Sequence, residues 1–356
     1  MRHFNWIISF LIVFIFSVGV TQAKQLPSDD LNLNVCIGKI KKKNLLVTKG
    51  YFNWGGSIIK GEDNRYHLFY SRWPNNFYGW LVESEVAHAV SDSPSGPWVY
   101  QETVLNGRGK GYWDAVTVHN PKIKYFEGKY YLYYISTNAP NVDYNMKMLR
   151  ATNGKSTSTC ALRNTLRVNQ RTGVAVATSL SEPWVRQDKP LIEPSGPIST
   201  LTVNPAISRG ADGKYYLIVK GDKPNDKNFV RNQAIAVSES PAGPFVMQKN
   251  PVIDNQDTED MSLWYDVKRS LFYGIFHAHT YLGLVVSDNG LDWQKSKYEV
   301  VLKKDDIKSH GAPDIPRRME RPFVYVEGST PKTLLTSVFV GDRSYIVTIP
   351  LRYNEE

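Results

Sequence analysis

Cysteine is nearly absent from this chain: of 356 residues only Cys36 and Cys160 are cysteine. One bridge across so long a loop makes no disulfide scaffold, so a sizeable hydrophobic core must carry the fold, whether the two thiols pair or stay separate. No Cys-x-x-Cys or Cys/His cluster is present, which removes the usual zinc motifs. No other ligand motif argues for a metal ion or cofactor. Long apolar runs are missing too, with one exception. Trp6 to Val20 follows Arg2 and His3 and leads to Thr21-Gln22-Ala23, so residues 1–23 read as a signal peptide. The run is short for a full membrane span, no second one follows, and no Cys directly after the cleavage point invites a lipid. The expectation is export to the periplasm or medium of a bacterium, without a stable membrane span.

Acidic residues are outnumbered, 34 against 43 Lys and Arg, for a formal charge of +9 of which the leader's Arg2 supplies one. An exported chain without a basic helix gives nucleic-acid binding little support. An acidic oligosaccharide, uronate-bearing or sulfated, would be steered by the same field, and solubility is the plain alternative.

Aromatics are plentiful, at 12% with 21 tyrosines, and they recur in a pattern. An apolar strand, a short Gly- or charge-containing turn and an aromatic strand run from Trp54 to Tyr70, from Val118 to Tyr134 and from Val203 to Val219, with weaker copies starting at Glu259 and Glu320. Alternation around a tight turn signals a hairpin. A second segment, a strand ending in a turn and an aromatic, follows four of the hairpins: Ala89 to Trp98, Ala177 to Trp184, Val237 to Phe245 and Val286 to Trp293. Hairpin plus strand, turn and outer strand makes a four-stranded blade, and five hairpins predict an all-β, five-bladed β-propeller over 51–356. Such regular repetition argues against a two-sheet sandwich. Residues 24–50 read as a lead-in that helps close the ring on the last blade. The basic, polar stretch from Asn141 to Gln170 reads as an irregular loop over one face that shapes the substrate entrance.

These segments resemble glycoside hydrolase families 43 and 117. The resemblance rests on the Gly-Lys-Tyr-Tyr turns at Gly128 and Gly213, the Ser91-to-Trp98 closing segment, and the stretch Gly107 to Pro121, which is similar to the second blade of family 117. It implies a site at the starts of the inner strands, around the central opening. The carboxylates implied there are not kept: the chain has Gly55-Gly56 in blade one, His119-Asn120-Pro121 in blade two and Asn204-Pro205 in blade three. Glu259-Asp260 and Glu320-Arg321 stand in blades four and five.

Where an inner strand starts, its antiparallel partner must end. That brings Arg72, Asn138, Lys220, His277 and His279 toward the same rim. The expected catalytic set is therefore His119, His277, His279 and Glu259. The expected substrate-binding set is Trp54, Arg72, Asp114, Asn120, Asn204, Lys220, Asp260, Glu320 and Arg321. His310 is placed to reach the site from a loop, whereas His67 and His88 read as strand residues.

Cations, imidazoles and amides in place of acids suit β-elimination at a terminal uronate, as a lyase or a dehydratase. The alternatives are an exo-acting glycosidase of the family 43/117 kind, with its two carboxyls rebuilt from Asp114, Glu259, Asp260 and Glu320, and a non-catalytic glycan-binding propeller.

Overall fold

The computed structural model describes residues 30–181, 183–226, 230–253 and 256–353. The expected leader lies outside them. A lead-in carries β1 (Leu45–Leu46), and blade one follows as β2 (Tyr51–Lys60), β3 (Tyr66–Pro74), β4 (Glu85–Ser91) and β5 (Val99–Leu105). Blade two is β6 (Thr117–Phe126), β7 (Lys129–Thr137), β8 (Arg171–Ala177) and β9 (Val185–Arg186). Blade three is β10 (Ser199–Arg209), β11 (Tyr215–Asp222), β12 (Arg231–Ser238) and β13 (Val246–Ile253). Blade four is β14 (Glu259–Asp266), β15 (Leu271–Ala278), β16 (Tyr281–Ser287) and β17 (Gln294–Lys303). Blade five takes β18 (Arg318–Glu327), β19 (Thr330–Val340) and β20 (Arg343–Pro350), with β1 as its outer strand. These are five four-stranded antiparallel sheets, the predicted five-bladed propeller.

Strands form here because Val, Ile, Tyr and Phe alternate with smaller or polar residues, which suits sheets packed face to face. Each seam between neighbouring blades has its own apolar cluster. Tyr70 and Leu68 meet Leu46, Phe323, Leu335 and Ile346 between blades one and five, and Phe69 and Val86 meet Ile123 and Leu132 between one and two. Further clusters fill the remaining three seams. Tyr70, Tyr133, Tyr134, Tyr215, Tyr273 and Tyr345 are all buried in this way, so the tyrosine excess serves the strands.

The lead-in is a strap across the last seam. Leu31, Leu33, Cys36 and Ile40 sink into the core shared by blades four and five. The Asp30 carboxylate accepts hydrogen bonds from the Tyr273 and Ser296 hydroxyls, 2.8 Å each, and from the Lys297 amide. Cys36 and Cys160 are not bonded to one another. The 141–170 insertion is more regular than a loop, with helices α2 (Met146–Arg150) and α3 (Ala161–Val168), preceded by α1 (Trp80–Glu83) in the β3–β4 connection. No helix of the described residues is long and apolar enough to cross a membrane.

Leu46 is 5% exposed in the seam that closes the ring. Leu46→Ala should lower the unfolding free energy by about 2–4 kcal/mol in urea denaturation; an unchanged midpoint would show that closure does not depend on this strand.

Candidate active site

All five inner strands break their register at one equivalent point: after Trp54, His119, Val203, Glu259 and Glu320. The residue that follows is left-handed each time, with φ of 48° at Gly55, 50° at Asn120, 56° at Asn204, 64° at Asp260 and 60° at Arg321. Gly and Asn reach this region readily and Arg rarely does, so the conformation at Arg321 is imposed by its surroundings. The bulge hands the left-handed side chains to the propeller axis. There they link into a belt. Asn120 Nδ2 donates to Asn204 Oδ1 at 2.7 Å, Asn204 donates to Asp260 in turn, and the Arg321 guanidinium pairs with Asp260. Blade one contributes no side chain: a Cβ on Gly55 would stand 2.6 Å from Asn120 Oδ1, so that amide would have to move to admit one.

Above the belt lies a cavity of about 620 Å³. One wall is aromatic. Trp54 comes from β2, Trp73 from β3, and Phe77 and Trp80 from the β3–β4 connection. His119 sits among them, its ring 5.3 Å from both Trp73 and Trp80 and 2% exposed. Its Nδ1 lies 2.7 Å from Ser84 Oγ, which leaves Nε2 for the cavity that the ring lines. Burial, then repulsion by Arg321, holds this imidazole well below its usual pKa, so it is neutral at neutral pH.

The opposite wall is ionic. Lys220 pairs closely with Glu259 and lies 3.7 Å from Asp260, and Arg231 Nε stands 3.7 Å from Glu259. Burial alone would raise the Glu259 pKa, but Lys220, Arg231, His277 and Arg321 outweigh it and keep the group a carboxylate. His277 is nearly enclosed, with Nδ1 3.4 Å from Asp260 Oδ2 and Nε2 4.0 Å from Glu320 Oε1, while Arg318 Nη1 is 3.5 Å from Glu320. Around the mouth stand Arg163, Lys304 and Arg317, none with a carboxylate at ion-pair distance among the described residues, and Arg167, held by Asp222.

Asp260, His277 and Glu320 bring ligand atoms within 4.8 Å of one another, a grouping that no sequence motif signalled because three separate strands supply it. It does not fit a resident divalent ion. Arg321 and Lys220 already flank Asp260 and Arg318 flanks Glu320, so the ion would stand beside three fixed cations.

Of the residues expected at the site, Trp54, His119, Asn204, Lys220, Glu259, His277, His279, Glu320 and Arg321 line this one cavity. His279 is at the rim, its side chain 65% exposed and 3.3 Å from Asp257. Asn120 and Asp260 lie in the belt below. Arg72 and Asp114 belong elsewhere. Strand side chains alternate, so it is Trp73 that faces the cavity while Arg72 turns away to Glu85 at 2.7 Å and stacks on Tyr100. Asp114, fully buried, holds Arg108 at 2.5 Å, Arg186 at 3.2 Å and the Tyr134 hydroxyl at 2.9 Å, which makes it a structural anchor. Asn138 and His310 also lie outside the lining, and no tyrosine of the described residues joins it. Missed in the sequence were Trp73, Phe77 and Trp80, Ser84 behind His119, Arg231, and the mouth cations. The basic character of 141–170 was the one signal for Arg163 and Arg167.

Solved structures similar to this chain include several glycoside hydrolases. A family 117 glycoside hydrolase of the marine bacterium Zobellia galactanivorans superposes with a TM-score of 0.62 at 16% identity, over 91% of this chain and 93% of its own. A thermostable family 43 glycoside hydrolase gives 0.58 at 13%, over 87% and 92%. A family 43 enzyme of Xanthomonas citri, complexed with xylotriose, gives 0.56 at 14%, over 87% and 91%. The likeness is one of fold. No protein-family profile and no curated protein sequence matches the chain.

Asn204 both accepts and donates within the belt. Asn204→Ala leaves the buried Asn120 amide without its acceptor and takes one donor from Asp260, which keeps Arg321, and should cost about 1–3 kcal/mol, read as a lowered urea midpoint. A midpoint equal to that of the parent would mean the belt contributes nothing to stability.

Proposed function

We propose that the protein is an exported carbohydrate-active enzyme that acts on the terminal uronate of acidic oligosaccharides by β-elimination. The observation that carries this reading is His119: a buried, neutral imidazole with Nδ1 committed to Ser84 and Nε2 left for the cavity. A neutral imidazole accepts a proton at physiological pH, whereas the cavity's Glu259 and Glu320 are each flanked by cations. The aromatic wall offers an apolar face to a sugar ring. The unpaired cations Arg163, Lys304 and Arg317 suit anionic substituents.

In this mechanism Arg321 and Lys220 attract the uronate carboxylate and stabilise the negative charge that develops as the C5 proton leaves. His119 Nε2 takes that proton, the electron pair forms the C4=C5 bond, and the C4–O bond breaks. His277 gives the departing oxygen its proton. With a free 4-hydroxyl the leaving group is water and the enzyme is a dehydratase; with a glycosylated one it is a lyase. The belt beneath the cavity favours a chain end over a chain passing through.

A conjugated 4,5-unsaturated uronate absorbs in the ultraviolet and a saturated hydrolysis product does not. Uronate-terminated oligosaccharides should gain this absorbance with the protein. A new reducing end without absorbance would instead assign hydrolysis, with Glu259 and Glu320 as the opposed carboxyls. Binding without product would leave a glycan-binding propeller. His119→Ala should lower kcat/KM by about 10²–10⁴-fold with the circular dichroism unchanged; full activity would move the base elsewhere.

The same assignment sets a pH profile. A base is active when deprotonated, and His119 protonates only below the ordinary imidazole value of 6.5. The acid limb of kcat/KM should therefore be level through pH 6.5 and fall at lower pH. A limb at or above 6.5 would exclude His119 as the base.

A further inference from the structure

Below the belt the central channel carries two lysines that the site does not use. Lys122 and Lys124 flank Ile123 on β6, so both leave the strand on one face while Ile123 packs into the seam between blades one and two. Lys124 Nζ donates to the Leu263 carbonyl at 3.1 Å. Leu263 is on β14, in blade four. Blades two and four are not neighbours, so this bond crosses the propeller axis. Lys122 Nζ reaches the Gly56 carbonyl of blade one at 3.4 Å and stands 5.3 Å from the ring centroid of Phe323 in blade five. Its exposure is 6%. The two ammonium groups thus occupy the channel itself.

Neither has a carboxylate within ion-pair distance among the described residues. An ammonium carries three donors, and one carbonyl apiece leaves most of them unanswered. The neighbouring charges repel: Arg321 and Lys124 both oppose the charge on Lys122. Asp260, the carboxylate of the belt, is already engaged by Arg321, with Lys220 and His277 close by. Burial first, then Arg321 and Lys124, pushes Lys122 down to about 7, and burial pushes Lys124 down to about 8. Desolvated cations without a counter-ion are costly, and an anion between them removes most of that cost.

We propose that the lower channel binds one small monovalent anion of the halide class between the Lys122 and Lys124 ammonium groups. The anion enters from the face opposite the cavity, where Lys124 is only partly buried. The site is separate from the carbohydrate cavity, with the belt between them, and does not depend on what that cavity does.

Bromide is the probe. Crystals soaked in sodium bromide should show an anomalous peak in contact with both Nζ atoms. In solution, the thermal midpoint of the protein should rise by about 2 °C or more in sodium chloride over sodium gluconate at equal ionic strength. The Lys122→Met/Lys124→Met variant, which keeps the apolar stems and removes both charges, should unfold at one temperature in the two salts. A bromide position absent from the channel, or a variant that responds to chloride as the parent does, overturns the proposal. If the variant does not fold, the bromide position in the parent decides alone.

Discussion

Everything at the centre of this molecule depends on one backbone constraint: the left-handed residue that interrupts each inner strand at the same height. A strand without that bulge would send alternate side chains to its two faces all the way up. With it, two consecutive residues serve the centre. The first of each pair, such as His119, Glu259 or Glu320, faces the cavity, and the second, such as Asn120, Asp260 or Arg321, joins the belt at the cavity floor. The belt repays the strained conformations through its amide, carboxylate and guanidinium contacts. In blade one, Asn120 Oδ1 occupies the space that a Cβ at position 55 would enter.

That constraint sets the electrostatics. Blade one has no carboxylate at position 55, and those in blades four and five are held between cations. Removing one member of such a buried set strands the others, so the group is bound together by the cost of breaking it. The proposed elimination takes its unpaired, uncharged proton acceptor from outside the set. His119 meets that requirement because Trp73 and Trp80 exclude water from its faces and Ser84 occupies its other nitrogen.

The blades were legible in the sequence because a hairpin is a local object, in which period-two alternation and a Gly-bearing turn fall within about twenty residues. Glu259 and Glu320 began weak copies, yet both stand at the predicted starts of inner strands. The bulge was not legible. Nothing local announces a left-handed Arg321, since its conformation answers to Asp260 in another blade. Arg72 failed by a single residue, as a period of two must when the strand end is misjudged. Asp114 failed for a different reason: a lone acid in a Gly-rich stretch looks available until Arg108, Arg186 and Tyr134 are seen around it. Trp73 and Trp80 were hidden among other aromatics whose work is packing.

The five seams explain why scaffold and chemistry read so differently. Each seam is an apolar cluster of its own, set back from the axis, and the residues at the strand starts contribute little to it. Side chains at the five axial positions can therefore change together without disturbing what holds the blades, provided that the belt stays paired. A set of acids and a set of amides with one guanidinium are both compatible with the same ring. The likeness to solved glycoside hydrolases at 16% identity and below is one of fold. The reaction has to be argued from His119 and the ions around it.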